Sequence, residues 1–239
     1  MQTLPDKFQH FFEEAYFKSV PAPIRSFIRG KNRDAVFNNA MQLFLKDPAA
    51  CAVPGHPVLI DLIYGWGNEA WSARDEYLAA CLNHTLATTG PILECGSGLT
   101  SIVVGAVAKN LNRCHCILEH KADWAEKVEN RINDFGLDSL VIANPLKNYG
   151  GYYWYDVNLE TLPTKFCLVL CDGPPRRTPG GRYGLVPVMK EKLKPGCVIL
   201  LDDASRKDEL AIANRWQREL PSSFKIEGVV KPYICMKLT

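Results

Sequence analysis

The stretch that decides the fold is ILECGSGLTS, residues 92–101, in which an apolar run ends at an acid and two closely spaced glycines. The run has the length of a buried β-strand that ends near Glu94. Glycines at positions 96 and 98 remove side chains from the following turn, so that the backbone can approach a ligand closely. A helix that begins near Leu99 would add amide N–H groups that have no partner inside the helix. The stretch therefore predicts a strand, a binding loop and a helix that together hold a bulky, partly polar ligand.

Further apolar runs follow at distances typical of alternating strands and helices. They occupy residues 114–119, 140–143, 166–172 and 197–203. These distances leave room for a crossover helix between parallel strands, and the nearly continuous hydrophobicity indicates strands that are covered on both faces. Two last runs, at 224–230 and 233–238, are close enough to form a hairpin. The pattern predicts an α/β fold with a doubly wound, mostly parallel seven-stranded sheet, Rossmann-like, that closes with an antiparallel C-terminal hairpin.

The first part of the chain differs in character. Residues 1–65 are expected to form an N-terminal helical extension that packs on a sheet domain of residues 66–239. Segments 8–17 and 35–46 have helical character, whereas the prolines of segment 47–61 predict a loop.

Helix boundaries can also be predicted from local signals. Ser72 with Asp75, and Ser205 with Asp208, have the spacing of capping boxes that open a helix. Gly136 is placed to end the helix that contains Trp124.

The bulk composition narrows the class of protein. The chain has 239 residues, of which 47% are hydrophobic and 23% charged, as in ordinary folded domains. Its formal net charge of +2 provides no strongly basic face, so no nucleic-acid partner is expected. Most of the nine cysteines lie in apolar runs, which indicates a reducing compartment. Because the sequence has no leader-like segment and no long apolar window, we expect a cytoplasmic protein that does not engage a membrane.

The loop at residues 96–101 excludes two common phosphate-binding patterns. A dinucleotide fingerprint would have a third glycine where this chain has Ser101, and a Walker loop would need Gly-Lys-Ser or Gly-Lys-Thr. The carboxylate of Glu94 would also repel a pyrophosphate, whereas it suits a cationic ligand. S-adenosylmethionine, with its ammonium and sulfonium groups, is such a ligand.

These residues resemble the first motif of the class I S-adenosylmethionine-dependent methyltransferases. The resemblance covers residues 66–239 and includes LKPGCVILLDDA (193–204) and the closing hairpin. It implies that Glu119, at the end of the second strand, binds both ribose hydroxyls, and the distance from Gly96 to Glu119 is that of one crossover. The cofactor-binding residues that it implies are Glu94, Gly96, Ser97, Gly98, Thr100 and Glu119.

Carboxylates follow two further strands and are candidates for the chemistry. Asp172 ends the fourth strand, and Asp202 and Asp203 end the fifth. Two mechanisms fit: Asp172 is the general base or an orienting hydrogen-bond acceptor, with Asp202 as a further catalytic candidate, or Asp172, Asp202 and Asp203 bind a divalent cation such as Mg²⁺ that lowers the pKa of the acceptor. The second is similar to catechol-type O-methyltransferases, which have an Asp-Asn pair where this chain has Asp202-Asp203.

Basic and aromatic residues in three loops are candidates for ligand contacts. Arg176 and Arg182 lie in the loop after Asp172 and suit an anionic acceptor. In the glycine-rich segment 149–156, Trp154 is expected to contact the acceptor, together with Tyr152 and Tyr155. Trp66, with Glu69, is expected to form a lid over the cofactor.

The sequence thus predicts an S-adenosylmethionine-dependent methyltransferase whose acceptor is a small-molecule or sugar hydroxyl, with anionic compounds among the candidates. Two alternatives stay open: an NAD(P)-dependent oxidoreductase on a similar sheet, and an adenosyl-binding module without catalysis. The oligomeric state is left open.

Overall fold

A computed structural model of the chain describes residues 22–68 and 73–239, with side chains from residue 30 onward in the first segment. Its α-helices in these residues are α1 (Ala22–Lys46), α2 (Pro48–Cys51), α3 (Pro57–Trp66), α4 (Asp75–Ala87), α5 (Leu99–Asn110), α6 (Ala122–Asp134), α7 (Leu185–Met189) and α8 (Lys207–Glu219). The strands are β1 (Ile92–Cys95), β2 (His115–Glu119), β3 (Leu140–Ala143), β4 (Leu146–Asn148), β5 (Tyr153–Tyr155), β6 (Phe166–Cys171), β7 (Leu193–Leu201), β8 (Ser222–Glu227) and β9 (Tyr233–Leu238).

Seven of the strands form one sheet in the order β3-β2-β1-β6-β7-β9-β8. The first five strands in that order are parallel to one another, whereas β9 is antiparallel to both β7 and β8. The doubly wound sheet and its C-terminal hairpin confirm the predicted fold class. The order reverses between β1 and β6, which are neighbours in space but far apart along the chain, and ligands bind at such a switch point.

The apolar runs located the strands well because buried parallel strands leave little room for polar residues. The predicted runs at 92–95, 140–143 and 233–238 coincide with β1, β3 and β9. The structure corrects the fifth run, since β7 starts earlier, at Leu193, and ends at Leu201, before the two aspartates.

The loop predicted for residues 47–61 is wrong. The segment forms α2 and the first half of α3, because Pro48 and Pro57 stand in the first turns of these helices. There a missing backbone N–H costs nothing, and the fixed φ of proline favours the helix. The side chains of Asp47 and His56 accept hydrogen bonds from Ala50 and Val58 and cap the two helices.

The prediction of a loop at the glycine-rich segment 149–156 is also wrong. The segment belongs to an antiparallel hairpin of β4 and β5, which follows β3 and precedes β6 along the chain. Gly150 and Gly151 form its turn with positive φ angles of 81° and 115°. Trp154 and Tyr155 of this hairpin lie in the core.

The helix signals were confirmed in part. Gly136 follows the end of α6 with φ of 59°, as expected for a helix terminator. Helix α8 begins at Lys207 with Arg206 as its N-cap residue, so Ser205 does not cap it. Ser72 and Glu69, and the helical segment predicted for residues 8–17, lie outside the described residues.

Helices α1 and α3 share one hydrophobic core with the sheet domain. Phe37 and Met41 of α1 belong to the same buried cluster as Leu59 of α3, Ile102 of α5 and Ile92 of β1. The boundary proposed between residues 65 and 66 falls in the last turn of α3. All nine cysteines are free thiols, eight of them buried. Among the described helices, none combines the length and apolar character needed to cross a lipid bilayer.

Candidate active site at the switch point of the sheet

The loops that follow β1 and β6 touch each other at the switch point. The carbonyl oxygen of Cys95, the last residue of β1, accepts hydrogen bonds from the backbone N–H groups of Asp172 and Gly173, at 3.0 and 2.6 Å. A Cβ atom on Gly96 would lie 2.8 Å from the nitrogen of Gly173, and Gly96 has φ of 86°. The contact requires glycine at position 96 and places Asp172 directly beside the glycine loop.

The surroundings of Gly98 are open. A Cβ atom placed on Gly98 would meet no atom within 4 Å. Helix α5 starts at the next residue, and its first amide groups are available to a ligand in that space. Ser101, which stands where a dinucleotide fingerprint has glycine, is buried and its hydroxyl accepts a hydrogen bond from the N–H of Gly98 at 3.0 Å. Thr100 lies in the same first turn.

Glu94 supports the loop from the interior of the domain. Its carboxylate is buried and contacts Nε2 of His115 at 3.1 Å, and the other ring nitrogen of His115 contacts Oγ of Ser139 at 2.9 Å. Burial raises the pKa of Glu94, although His115 and Ser101 counteract the shift. His115 has no sequence motif, and its role as partner of Glu94 was not predicted.

Glu119 lies against the glycine loop. Its Oε2 accepts hydrogen bonds from the N–H and the hydroxyl of Ser97, at 3.1 and 2.9 Å. Its Oε1 accepts from the backbone N–H groups of His120 and Lys121, at 2.8 and 3.0 Å. These bonds fix the carboxylate where the first and second strands end side by side.

Trp66 contacts a second tryptophan, which in turn contacts the glycine loop. It ends α3 and packs edge-on against Trp124 of α6, with 6.2 Å between ring centroids. Trp124 donates its indole N–H to the carbonyl oxygen of Ser97 at 2.9 Å. The sequence pattern placed Trp124 in a helix but gave no sign of this contact with the loop.

The three aspartates that follow β6 and β7 come together as predicted. Asp172, Asp202 and Asp203 each offer an oxygen, and these oxygens lie within 4.8 Å of one another. Asp203 has φ of 65°, a left-handed conformation that is uncommon for a residue with a side chain and recurs at functional sites.

Three side-chain cations contact these oxygens. Arg182 donates to Asp172 Oδ1 at 2.7 Å, to Asp203 Oδ2 at 3.0 Å and to the carbonyl oxygen of Asp202 at 2.7 Å. Nζ of Lys231 lies 2.8 Å from Asp202 Oδ2 and 3.3 Å from Asp203 Oδ1. Arg206 and Glu209 complete the cluster, with Arg206 2.6 Å from Asp203 and Glu209 3.5 Å from Arg182.

The aspartates of the cluster differ in the direction in which their pKa values are shifted. Burial raises the pKa of Asp172, and burial together with the neighbouring Asp172 raises the pKa of Asp202 to about 6. Burial also acts on Asp203, but the positive charges of Arg182, Lys231 and Arg206 outweigh it, so that the pKa of Asp203 lies below its usual value. Asp202 is fully buried, whereas 36% of the Asp172 side chain is exposed. Asp172 is therefore the carboxylate of this cluster with an elevated pKa that a ligand can reach.

These residues do not fit a divalent metal ion. A hard cation needs carboxylate oxygens that are free to coordinate it. Here Arg182, Lys231 and Arg206 already contact the three aspartates at 2.6 to 3.0 Å.

The remaining predicted contact residues lie apart from one another. Arg176 is exposed and pairs with Asp208 of α8 at 2.9 Å. Trp154 is 0% exposed, which leaves no surface for an acceptor to contact. Tyr155 is also buried, but its hydroxyl has no hydrogen-bond partner and lies 2.5 Å from the position of a Cβ on Gly173.

Comparison with known proteins gives the same fold. No protein-family model and no curated protein matches the chain. The O-methyltransferase from Bacillus cereus, solved in complex with SAH, is 13% identical, and the match covers 86% of this chain and 91% of that one with a TM-score of 0.53. A precorrin-6y C5,15-methyltransferase from Geobacter metallireducens is 16% identical over 71% of this chain and 90% of its own, with a TM-score of 0.53. The 16S rRNA methyltransferase of T. thermophilus, in complex with AdoMet and guanosine, is 13% identical over 70% of this chain and 44% of its own, with a TM-score of 0.51.

The chain thus has the fold of the class I S-adenosylmethionine-dependent methyltransferases, and the predicted resemblance is confirmed at the level of the fold. The names of the three similar structures cover oxygen, precorrin and RNA acceptors. The shared fold therefore leaves the acceptor to be argued from the site.

Proposed function

We propose that this chain is an S-adenosylmethionine-dependent methyltransferase that methylates a hydroxyl group of a small molecule. The observation that carries the proposal is the contact between Gly96 and Gly173 at the switch point of the sheet. It brings a loop suited to the cofactor and an accessible carboxylate, Asp172, into direct contact.

The residues around the glycine loop would hold the cofactor. The open space above Gly98 and the first amides of α5 suit its polar end, and Glu119 faces the loop where an adenosyl ribose is expected. The hydroxyl of Ser97 now occupies one oxygen of Glu119, so a ribose hydroxyl would take its place there. When bound, S-adenosylmethionine supplies a methyl group on a positively charged sulfur, which keeps the bonding electron pair and leaves as a thioether.

Asp172 is the proposed general base. Arg182 holds one of its oxygens at 2.7 Å, which fixes the orientation of the carboxylate and leaves the second oxygen for the acceptor. The acceptor hydroxyl would give its proton to this oxygen as the new bond from oxygen to carbon forms. A carboxylate whose pKa is raised accepts a proton more readily than an ordinary aspartate. Asp202, which is buried, would act by holding Lys231 in place.

The charges at the site favour a small acceptor. Arg182 is committed to the acids of the cluster, so recognition of an anionic group would fall to Arg176, which is exposed on the loop beyond Asp172. The nearly balanced net charge gives no support for a nucleic-acid acceptor. The free thiols suit a reducing cytoplasm.

Calorimetric titration with S-adenosylmethionine, S-adenosylhomocysteine and NAD tests the proposal. We expect both adenosyl ligands to bind with one site per chain and NAD to show no binding. Release of S-adenosylhomocysteine in the presence of a panel of phenols and sugars then tests catalysis. Binding of NAD alone would support the oxidoreductase, and binding of the adenosyl ligands without turnover of any acceptor would support a non-catalytic module.

A further inference from the structure

The cluster at the ends of β6 and β7 has the spacing of a metal site, but its positive charge comes from the chain itself. The oxygens of Asp172, Asp202 and Asp203 lie within 4.8 Å of one another. Three cations contact them, Arg182, Arg206 and Lys231, and they come from different parts of the fold.

The three cations differ in accessibility and in partners. Only 3% of the Arg182 side chain is exposed, and its N–H groups contact Asp172, Asp203 and the backbone of Asp202. The Arg206 side chain is 35% exposed and pairs with Asp203 and Glu209, whereas the Lys231 side chain is 26% exposed and pairs with Asp202 and Asp203. An ammonium group has three donors. That of Lys231 donates a hydrogen bond to Asp202 Oδ2 at 2.8 Å and lies 3.3 Å from Asp203 Oδ1 as an ion pair. At least one donor of this partly exposed side chain is left for a ligand.

Hydrogen bonds to two parts of the fold hold the turn between β8 and β9, which carries Lys231. The carboxylate of Glu76, on α4, accepts hydrogen bonds from the N–H groups of Val229, Val230 and Lys231, at 2.9, 2.9 and 3.1 Å. The carbonyl oxygen of Pro232 accepts from the N–H of Ala204 at 2.7 Å, which ties the turn to the segment that carries the aspartates.

The same turn offers an apolar surface next to Lys231. Val229 and Val230 are 90% and 81% exposed, the highest values among the large hydrophobic residues that the structure describes. An acceptor with an apolar ring would contact them while its polar group reached Lys231.

We propose that Lys231 replaces a divalent metal ion in this active site. Its ammonium group binds the acceptor oxygen beside Asp172 and provides the positive charge that stabilises this oxygen as the proton leaves. Because one remaining donor contacts one oxygen, whereas a divalent ion chelates two, the acceptor is a single ionisable hydroxyl, as in a phenol. The inference rests on the proposed methyltransferase function and adds that turnover is independent of metal.

The metal part of the inference can be tested without any acceptor. Mn²⁺ is titrated into the full-length protein, into Lys231→Met and into the control Lys225→Met, which removes an exposed lysine of β8 that pairs with Glu227, and binding is read from the relaxation of water protons. The wild type and the control should show no site with a dissociation constant below about 1 mM. Lys231→Met exposes the carboxylates to solvent and should bind Mn²⁺ at least about tenfold more tightly, or about 1.4 kcal/mol. Tight binding of one Mn²⁺ by the wild type, or equal binding by the two variants, would overturn the inference.

The catalytic part uses methyl transfer to 4-nitrophenol and catechol, in EDTA and in MgCl₂, with S-adenosylhomocysteine binding measured alongside. We expect equal rates in both buffers, a loss of about 100-fold in kcat for Lys231→Met, and a much smaller loss for Lys231→Arg. All variants should bind S-adenosylhomocysteine as the wild type does.

The outcomes separate this inference from the proposed function. If the wild type does not bind S-adenosylhomocysteine, the proposed function itself fails. If it binds this ligand but needs Mg²⁺, keeps its kcat in Lys231→Met, or methylates neither phenol, only the inference about Lys231 is overturned.

Discussion

The indole N–H of Trp124 donates to the carbonyl oxygen of Ser97 at 2.9 Å, and this bond fastens the glycine loop to α6. Trp124→Phe keeps most of the apolar contact and removes the donor. We expect its dissociation constant for S-adenosylhomocysteine to rise up to about tenfold, since a single hydrogen bond contributes about 0.5 to 1.5 kcal/mol. Trp66→Phe is the matched control, because Trp66 meets Trp124 through its ring. Equal affinities for the two variants would show that the bond does not shape the loop.

Asp172→Asn tests the proposed base. The variant should lose at least about 100-fold in kcat while it binds S-adenosylhomocysteine normally. The pKa of Asp172 is raised by burial, and a base must be deprotonated to act. In the wild type, kcat/KM should therefore decrease as the pH falls through a value above the ordinary aspartate pKa, and this acidic limb should be absent from the residual activity of the variant.

Asp208→Asn is the control for this measurement. Asp208 is an exposed carboxylate that pairs with Arg176 on the same side of the domain. If Asp172→Asn and Asp208→Asn have similar kcat values, Asp172 is not the base.

Arg182→Met should destabilise the protein strongly. The substitution leaves Asp203 and Glu209 buried without their main cation, and removal of one partner from a buried ion pair costs about 3 to 5 kcal/mol. Arg176→Met breaks an exposed pair and should change the free energy of unfolding by at most about 1 kcal/mol. Urea denaturation of both variants measures the difference, and a stable Arg182→Met would mean that the cluster tolerates the uncompensated acids.

Tyr155→Phe separates a structural role from ligand binding. The hydroxyl of Tyr155 is buried without a partner beside Gly173, so its removal should leave Tm unchanged or raise it. If the hydroxyl bonds to a ligand at the switch point, the variant should bind S-adenosylhomocysteine up to about tenfold more weakly. A higher Tm with unchanged affinity would show that the hydroxyl faces no ligand.

The strands of the sheet were predictable from their apolar runs. The run at 92–95 coincided with β1, which is buried throughout, and the run at 140–143 coincided with β3, an edge strand that is partly exposed. The positions of Asp172, Asp202 and Asp203 followed, since the carboxyl ends of parallel strands meet at one edge. The hairpin of β4 and β5 was not predicted, because each of its strands has three residues, too few to show an alternating pattern.

The partners of the site residues could not be predicted from local patterns. Lys231 reaches the aspartates only because β9 inserts between β7 and β8, and no spacing along the chain reveals that contact. Arg182 was expected to face the acceptor, whereas it is buried among acids. The sequence shows that Arg182 is charged, but it does not show which carboxylates neutralise that charge.

The central claim is that the backbone around Gly96 and Gly98 holds an adenosyl ligand, and calorimetry of Gly98→Ala tests it most directly. Position 98 has extended backbone and open space around it, so alanine should leave Tm close to that of the wild type. Because the added methyl group enters the space assigned to the ligand, the dissociation constant for S-adenosylhomocysteine should rise at least about tenfold, or about 1.4 kcal/mol. A wild type that binds no S-adenosylhomocysteine, or a Gly98→Ala variant that binds it equally well, would contradict the account.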